Sequence, residues 1–463
     1  MSWRVAMVLV PALALYFLPL PGFEDSQRHL LAVFIGTIIA LVSKPVPMGL
    51  SVLIATAILG VTRTVPVADL FSGFANPTVW LVFVAFLIGR AVSETGLGRR
   101  IAYYIIHRFG RSSLSLGYSI AASDVVLAPF IPSDTARGGG VIAPITKGLA
   151  EALGSEPGVT ANRAGTFLML VGFHTTYLAS AIFLTGMAAN PLIADFAARI
   201  AHVQLTWGRW LAASCVPGAI SLITVPWLIY RLSPPELRDI SPARQMARVA
   251  FETMGPLPRD QKWLVTILLL TMVGWVSSPW HGISNTVVAL CAVCSLLLAR
   301  VIRWDDVLGD KTAWDALIWF APLVMMAEEL NEKGVIKLVF EPLTLRLGGV
   351  PRMEALIILA VVYLYAHYGF ASMTAHVTAL YPGFLLAALH AGVPAGLAVL
   401  PLAYFSNLNA GITHYGTGSA PVYFGFGYVD QGRWWRIGFI VSMVNVTIWL
   451  GVGLLWWKLL KIW

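Results

Sequence analysis

The run Pro132-Ser133-Asp134-Thr135-Ala136-Arg137-Gly138-Gly139-Gly140-Val141 gathers hydroxyls, a carboxyl, a guanidinium and three successive glycines inside an apolar stretch. Three glycines in a row disfavour a regular helix. They suit the tip of a hairpin, where backbone approaches a ligand closely. An unwound tip offers free N–H groups and hydroxyls, and a helix starting there points its positive dipole end at the tip. That chemistry binds an anion. Arg137 adds to it: an arginine at mid-membrane depth costs at least about 2.5–3.5 kcal/mol on insertion scales, so it calls for a partner or a role.

The same pattern returns later in the chain. Ser372-Met373-Thr374-Ala375-His376 answers Ser133 to Arg137, with 372 − 133 = 239 and 376 − 137 = 239. Thr185-Gly186-Met187-Ala188 is matched by Thr417-Gly418-Ser419-Ala420, offset by 417 − 185 = 232, and a proline follows each (Pro191, Pro421). Trp80 to Leu97 and Ile318 to Val335 are both apolar runs that turn polar near a Glu and end at Gly96 and Gly334, where 334 − 96 = 238. Two related halves would bring their broken segments to one central site. The candidate substrate-binding set is therefore Ser133, Asp134, Thr135, Arg137, Thr185, Gly186, Ser372, Met373, Thr374, His376, Thr417 and Gly418. The competing structural readings are an Arg137 that snorkels to the interface, a His376 held as a core histidine, and Gly, Ser and Thr serving as helix-packing residues. His174, His367 and Asp124 read as core or pathway residues rather than ligands.

The elements that must position these residues lie in a bilayer. Of 463 residues 58% are hydrophobic and only 12% charged, whereas soluble domains carry about 25% charged residues. The mean hydropathy is +0.76. Predicted spans are 5–21, 28–43, 47–63, 76–94, 164–190, 207–231, 263–280, 285–302, 314–331 and 435–457. Regions 113–150, 353–390 and 394–428 are apolar but interrupted, and the first and second read as re-entrant hairpins. The fold expected is an all-α polytopic membrane protein with a first helix in 1–24, a first repeat over 25–231, a linker over 232–262 and a second repeat over 263–463. Arg231 to Lys262, with five prolines, is the only long loop. The cations Arg99, Arg100, Arg108 and Arg111, and those of the linker, place both segments in the cytoplasm, so the halves face opposite ways. Inverted repeats with broken helices meeting at mid-membrane mark a secondary transporter. Lys333, Lys337, Arg346 and Arg352 dissent from that map.

Other signals are negative. The net charge of +8 comes with no basic run interleaved with aromatics, so nucleic acid is not a partner. Cys291 and Cys294 form a C-x-x-C without a second ligand pair and read as packing cysteines; no metal site is expected. Trp434 and Trp435, or Trp456 and Trp457, read as interfacial anchors. The first apolar stretch lacks a cleavage site and reads as a membrane helix. Neither H-E-x-x-H nor G-x-S-x-G occurs, so a membrane enzyme is disfavoured, and a channel or receptor would not require matched broken helices.

With these motifs in view, the chain resembles the divalent anion/sodium symporter (DASS) family, in the branch of bacterial citrate or tartrate/succinate antiporters and plastid 2-oxoglutarate/malate translocators. The resemblance runs from about Asn76 to Val429. It is carried by Asn76-Pro77-Thr78-Val79-Trp80, Ser133 to Gly140, Ala371 to His376, and Ser406-Asn407 leading into Thr413-His414-Tyr415-Gly416-Thr417-Gly418. It implies about eleven membrane helices plus two re-entrant hairpins, a homodimer, an elevator movement of a transport domain, and a place in the bacterial cytoplasmic membrane. It assigns the two Ser-x-Thr tips to substrate carboxylates and implies exchange of small di- or tricarboxylates, with Arg137 and His376 standing where other members hold sodium. The alternative it allows is a sodium-coupled symporter of the same or another divalent anion; no cofactor is implied. One position departs: the family tip is Ser-Asn-Thr, and here it is Ser133-Asp134-Thr135. An ionised Asp only accepts hydrogen bonds. It suits a dianion only if it pairs with Arg137 or takes a proton.

Overall fold

The computed structural model describes residues 3–463, and among them every regular element is helical. Helices α1 (Trp3–Phe17), α2 (Asp25–Ser43) and α3 (Met48–Val61) open the chain. The first repeat continues with α4 (Pro77–Glu94), α5 (Leu97–Phe109), α6 (Ser113–Leu127), a π-wound stretch Thr135–Ile142 running into α7 (Ala143–Ala152), α8 (Gly165–Ile182), α9 (Ala189–Ala201) and α10 (Trp207–Leu232). A linker with its own helix, α11 (Ser241–Thr253), leads to α12 (Arg259–Val276) and α13 (Asn285–Leu298). The second repeat then reads α14 (Lys311–Glu332), α15 (Val335–Arg346), α16 (Arg352–Ala366), α17 (Met373–His390), α18 (Ala395–Leu408), α19 (Ala420–Gly425) and α20 (Gln431–Thr447), which is prolonged through Ile448–Gly453 to Leu454–Leu459.

The repeat is visible in the starts of matched elements: 335 − 97 = 238, 352 − 113 = 239 and 373 − 135 = 238, then 395 − 165 = 230 and 420 − 189 = 231. The drop of eight has a local cause. The connection 153–164 spans twelve residues, whereas its counterpart 391–394 spans four. Matched residues end and start matched helices. Gly96 and Gly334 have φ of +72° and +70°. This left-handed conformation, which glycine adopts freely, turns α4 into α5 and α14 into α15. Asn76 caps α4 ahead of Pro77 through an Oδ1 that accepts from the Thr78 N–H. Ser112, Ser372 and Asp430 cap α6, α17 and α20 in the same way.

The bases of the two hairpins lie beside opposite ends of the last helical run. At one end, Arg433 at the start of α20 donates to Asn162 and to Ser233 of the linker (2.6 and 2.7 Å). At the same end, Ser113, at the base of the first hairpin, donates to the Leu237 carbonyl (2.6 Å). The last helical run, Gln431–Leu459, is 29 residues long, about 43 Å at 1.5 Å per residue. At its far end Ile462 lies against Gly396, beside the base of the second hairpin. Among the described residues, five helical runs are individually long and apolar enough to cross a bilayer: Asp25–Ser43, Pro77–Glu94, Gly165–Ile182, Trp207–Leu232 and Gln431–Leu459. The protein is an all-helical, multi-pass membrane protein.

Several expectations need correction. The span 164–190 is two helices, broken over 183–188. Asn190 makes the break tenable: its Nδ2 donates to the carbonyls of Ser180 and Phe183 (3.0 Å each), groups that an ended helix would leave bare. The 231–262 loop carries α11, whose Ala243 and Ala247 are buried. Trp434 and Trp457 are fully buried within the protein rather than facing outward; Trp457 donates to the Ala213 carbonyl (2.9 Å). Cys291 and Cys294 are exposed on α13, not packed. The dissenting Lys333 has partners: its Nζ reaches Glu329 (3.1 Å) and the Thr64 carbonyl (2.8 Å).

Candidate functional site

Both hairpin tips open onto one cavity of about 370 Å³. Ser133 Oγ accepts from the Ala136 N–H (3.2 Å), and Ser372 Oγ accepts from the Ala375 N–H (3.3 Å). Each serine thus caps a helical start, and the backbones repeat the pattern: Arg137 N–H to Ser133 O, His376 N–H to Ser372 O. Two helix N-termini from opposite halves therefore converge on the cavity with their partial positive charge. Ser133, Asp134 and Thr135 line it from one repeat, Ser372, Met373 and Thr374 from the other, with Thr417 and Gly418 between them. Eight of the twelve predicted residues thus meet in one place.

The other four stand behind that wall. Arg137 is fully buried with every N–H engaged. Nε donates to Asp124 Oδ1 (2.6 Å), Nη1 to the carbonyls of Ile131 (2.9 Å) and Gly186 (3.0 Å), and Nη2 to the Thr176 carbonyl (3.0 Å) and Ser180 Oγ (2.7 Å). It neither snorkels nor pairs with Asp134. Its partner is Asp124, itself fully buried, on the first arm of the hairpin. Thr185 donates to the Pro129 carbonyl (2.7 Å) and accepts from Trp207 Nε1 (3.2 Å), so Met187 and Ala188 take its place at the cavity. His376 is fully buried with neither ring nitrogen bonded. It packs edge-on against Tyr363, His367 and Phe370, at 4.4, 5.0 and 5.2 Å between ring centroids.

Asp134 is held from the opposite repeat. Its Oδ2 accepts a hydrogen bond from Thr417 Oγ1 and another from Ser419 Oγ (3.2 Å). The three glycines divide their work differently from expectation. A side chain at Gly138 would run into Thr176, one at Gly139 would press on Val422 at 3.2 Å, and one at Gly140 would meet open space. Gly138 lets α8 come close and Gly139 lets α19 come close; Gly140 has no such neighbour. The π-wound stretch ends where Pro144 lacks the N–H that an α-helix would return to Gly140.

The facing wall comes from helices outside the hairpins, and sequence reading missed it: Lys44, Met48, Phe86, Thr312, Asp315 and Trp319. A signal existed in Lys44-Pro45-Val46-Pro47, where a lone cation divides two apolar spans. This wall also sets the direction of the mouth. Arg90 of α4 reaches Asp310, just before α14, at 3.9 Å, and Thr95, after α4, accepts from Gln261 Nε2 of α12 (2.6 Å). Thr312 and Asp315 therefore lie at the linker end.

Comparison with known proteins places this arrangement. The chain is 46% identical over 453 residues to a Bacillus subtilis protein named as a candidate malate transporter, YflS, covering 97% of this chain and 95% of that one. It is 40% identical over 459 residues to the chloroplastic dicarboxylate transporter 1 of Arabidopsis thaliana, covering 98% and 82%. It is 33% identical over 475 residues to the inner membrane protein YbhI of Escherichia coli, covering 100% and 98%. The crystal structure of the Alcanivorax borkumensis YdaH transporter shares the fold, with a TM-score of 0.54 at 15% identity over 99% of this chain and 97% of that one. The family model described as the sodium:sulfate symporter transmembrane region matches residues 1–463. The chain belongs to that family: it is a membrane transporter of the DASS type, not an enzyme.

Proposed function

We propose that this protein exchanges small di- or tricarboxylates (succinate, malate, 2-oxoglutarate, tartrate or citrate) across the bacterial cytoplasmic membrane. In this reading the re-entrant hairpins and broken helices of a homodimer move as elevators against the remaining helices. The substrate class is supported by relatives named for malate and dicarboxylates and by the two serine-capped tips, whose donors suit carboxylate oxygens.

The observation that carries exchange is the setting of Arg137. Five oxygens surround its guanidinium: one carboxylate, one hydroxyl and three carbonyls. Such a set would otherwise suit a hard cation. A tethered cation cannot dissociate and drive uptake. Net charge does not impose exchange, since Asp124 cancels Arg137. The tips do: empty, their N–H groups and hydroxyls would cross an apolar barrier unsatisfied, at several kcal/mol each. An anion relieves that penalty, so loaded crossing is favoured.

A sodium-coupled reading draws on the second half. There His376 lies among aromatic rings with no such oxygen cage. Proteoliposomes separate the two. Under exchange, labelled dicarboxylate enters only vesicles loaded with unlabelled dicarboxylate, and replacing sodium by choline changes nothing. Sodium-driven entry into empty vesicles would overturn exchange.

A further inference from the structure

The charged side chains that line the cavity are Lys44, Asp134 and Asp315. Only Asp134 belongs to the hairpin tips. Arg137, three residues on, is bound to Asp124 instead. The tip therefore presents a carboxyl, and no tethered cation, to whatever binds between Ser133 and Ser372.

The carboxyl is oriented. Thr417 and Ser419 both donate to Oδ2. Oδ1 takes no hydrogen bond from another side chain, and Asp134, 7% exposed, lines the cavity. Oδ1 is thus the oxygen left for a ligand. Ionised, it can only accept. A dicarboxylate with nothing but acceptors beside its carboxylates has no proton to offer it.

We infer that Asp134 is a specificity-determining residue, selecting dicarboxylates that carry a hydrogen-bond donor, a hydroxyl or an ammonium, on the carbon beside a carboxylate. Unsubstituted and 2-oxo dicarboxylates are disfavoured. A hydroxyl satisfies Oδ1; an ammonium also offsets its charge. Sites built to hydrogen-bond a substrate group reject analogues lacking it by up to about 10⁴-fold or more when closed, and this partly open cavity calls for about tenfold. The inference rests on the dicarboxylate reading above.

The test is competition against labelled malate entering malate-loaded proteoliposomes at about pH 7.5, where the carboxyls of every competitor are ionised. L-Malate or L-aspartate, or both, should compete about tenfold better than succinate and 2-oxoglutarate. Malate alone would identify the hydroxyl as the donor, aspartate alone the ammonium. Asp134→Asn, which adds a donor to the tip, should narrow the gap to about threefold or less by improving succinate. If that variant fails to reach the membrane, Asp134→Ser carries the same expectation. Equal competition by all four in the natural protein, or an undiminished gap in the variant, would overturn the role of Asp134. Failure of every carboxylate to compete or exchange would instead overturn the dicarboxylate reading.

Discussion

Asp124 and Arg137 are thirteen residues apart across a turn, and only the folded hairpin reveals them as a pair. Their counterparts under the repeat are Tyr363 and His376, since 363 − 124 = 239 and 376 − 137 = 239. Those two are also in contact, with ring centroids 4.4 Å apart. One half thus holds an ion pair where the other holds an aromatic pair. The symmetry was legible in the sequence for the serines and for the basic positions. The partners were not, because a lone Asp in an apolar run reads the same whether it is bare or paired. Removing one member of a fully buried pair leaves an uncompensated charge, which costs about 3–5 kcal/mol. Arg137→Ala and Asp124→Ala should each lower the melting temperature of the detergent-solubilised protein sharply. Arg137→Met with Asp124→Leu should recover much of that loss, because no buried charge remains. A double variant as unstable as the sum of the single ones would refute the pairing.

Helix positions were readable wherever an apolar run was long and its ends were marked. Asn76-Pro77, Gly96 and Gly334 fall where caps and left-handed turns belong. The break at 183–188 was hidden, because its residues are as apolar as a span and its cause, Asn190, lies beyond it. The glycine run was recognised, but the protein neighbours of its first two members were not. Gly138 and Gly140 separate the two explanations. Gly138→Ala would push a methyl group into Thr176, and such overpacking typically costs about 1–3 kcal/mol. Gly140→Ala has nothing within 4 Å and should be neutral or stabilise by up to about 1 kcal/mol. Folded yield, melting temperature and exchange rate should therefore fall for the first variant and hold for the second, and Thr176→Ala should partly restore Gly138→Ala. If instead the glycines serve ligand approach, Gly140→Ala would impair exchange at least as much as Gly138→Ala.

At the scale of the whole molecule, the cavity lies toward the linker end of α14, and an ion pair joins α9 to α14 toward the opposite end. Arg199, in the last turn of α9, which packs on α17 of the second hairpin, reaches Glu328 of α14 at 2.7 Å, and Asn76 Nδ2 donates to the same carboxylate at 3.2 Å. Burial raises the pull of such a contact, but Arg199 is 42% exposed and Glu328 15%, so screening keeps its worth to about 1 kcal/mol. That is still enough to shift a two-state balance about fivefold. Under elevator movement α9 travels with the tips and α14 stays, so this contact exists only while the mouth faces the linker. Arg199→Ala and Glu328→Gln should both move the population toward the opposite-facing state. A single cysteine at Thr312, placed at the mouth after Cys215, Cys291 and Cys294 are replaced, should then lose contact with the moving body and change its labelling rate. Exchange should become less asymmetric between the two sides of the membrane. The two substitutions should not add when combined, because each removes the same bond. Additive effects, or labelling unchanged in both, would mean that α9 and α14 do not separate during transport and that the elevator reading has the wrong moving parts.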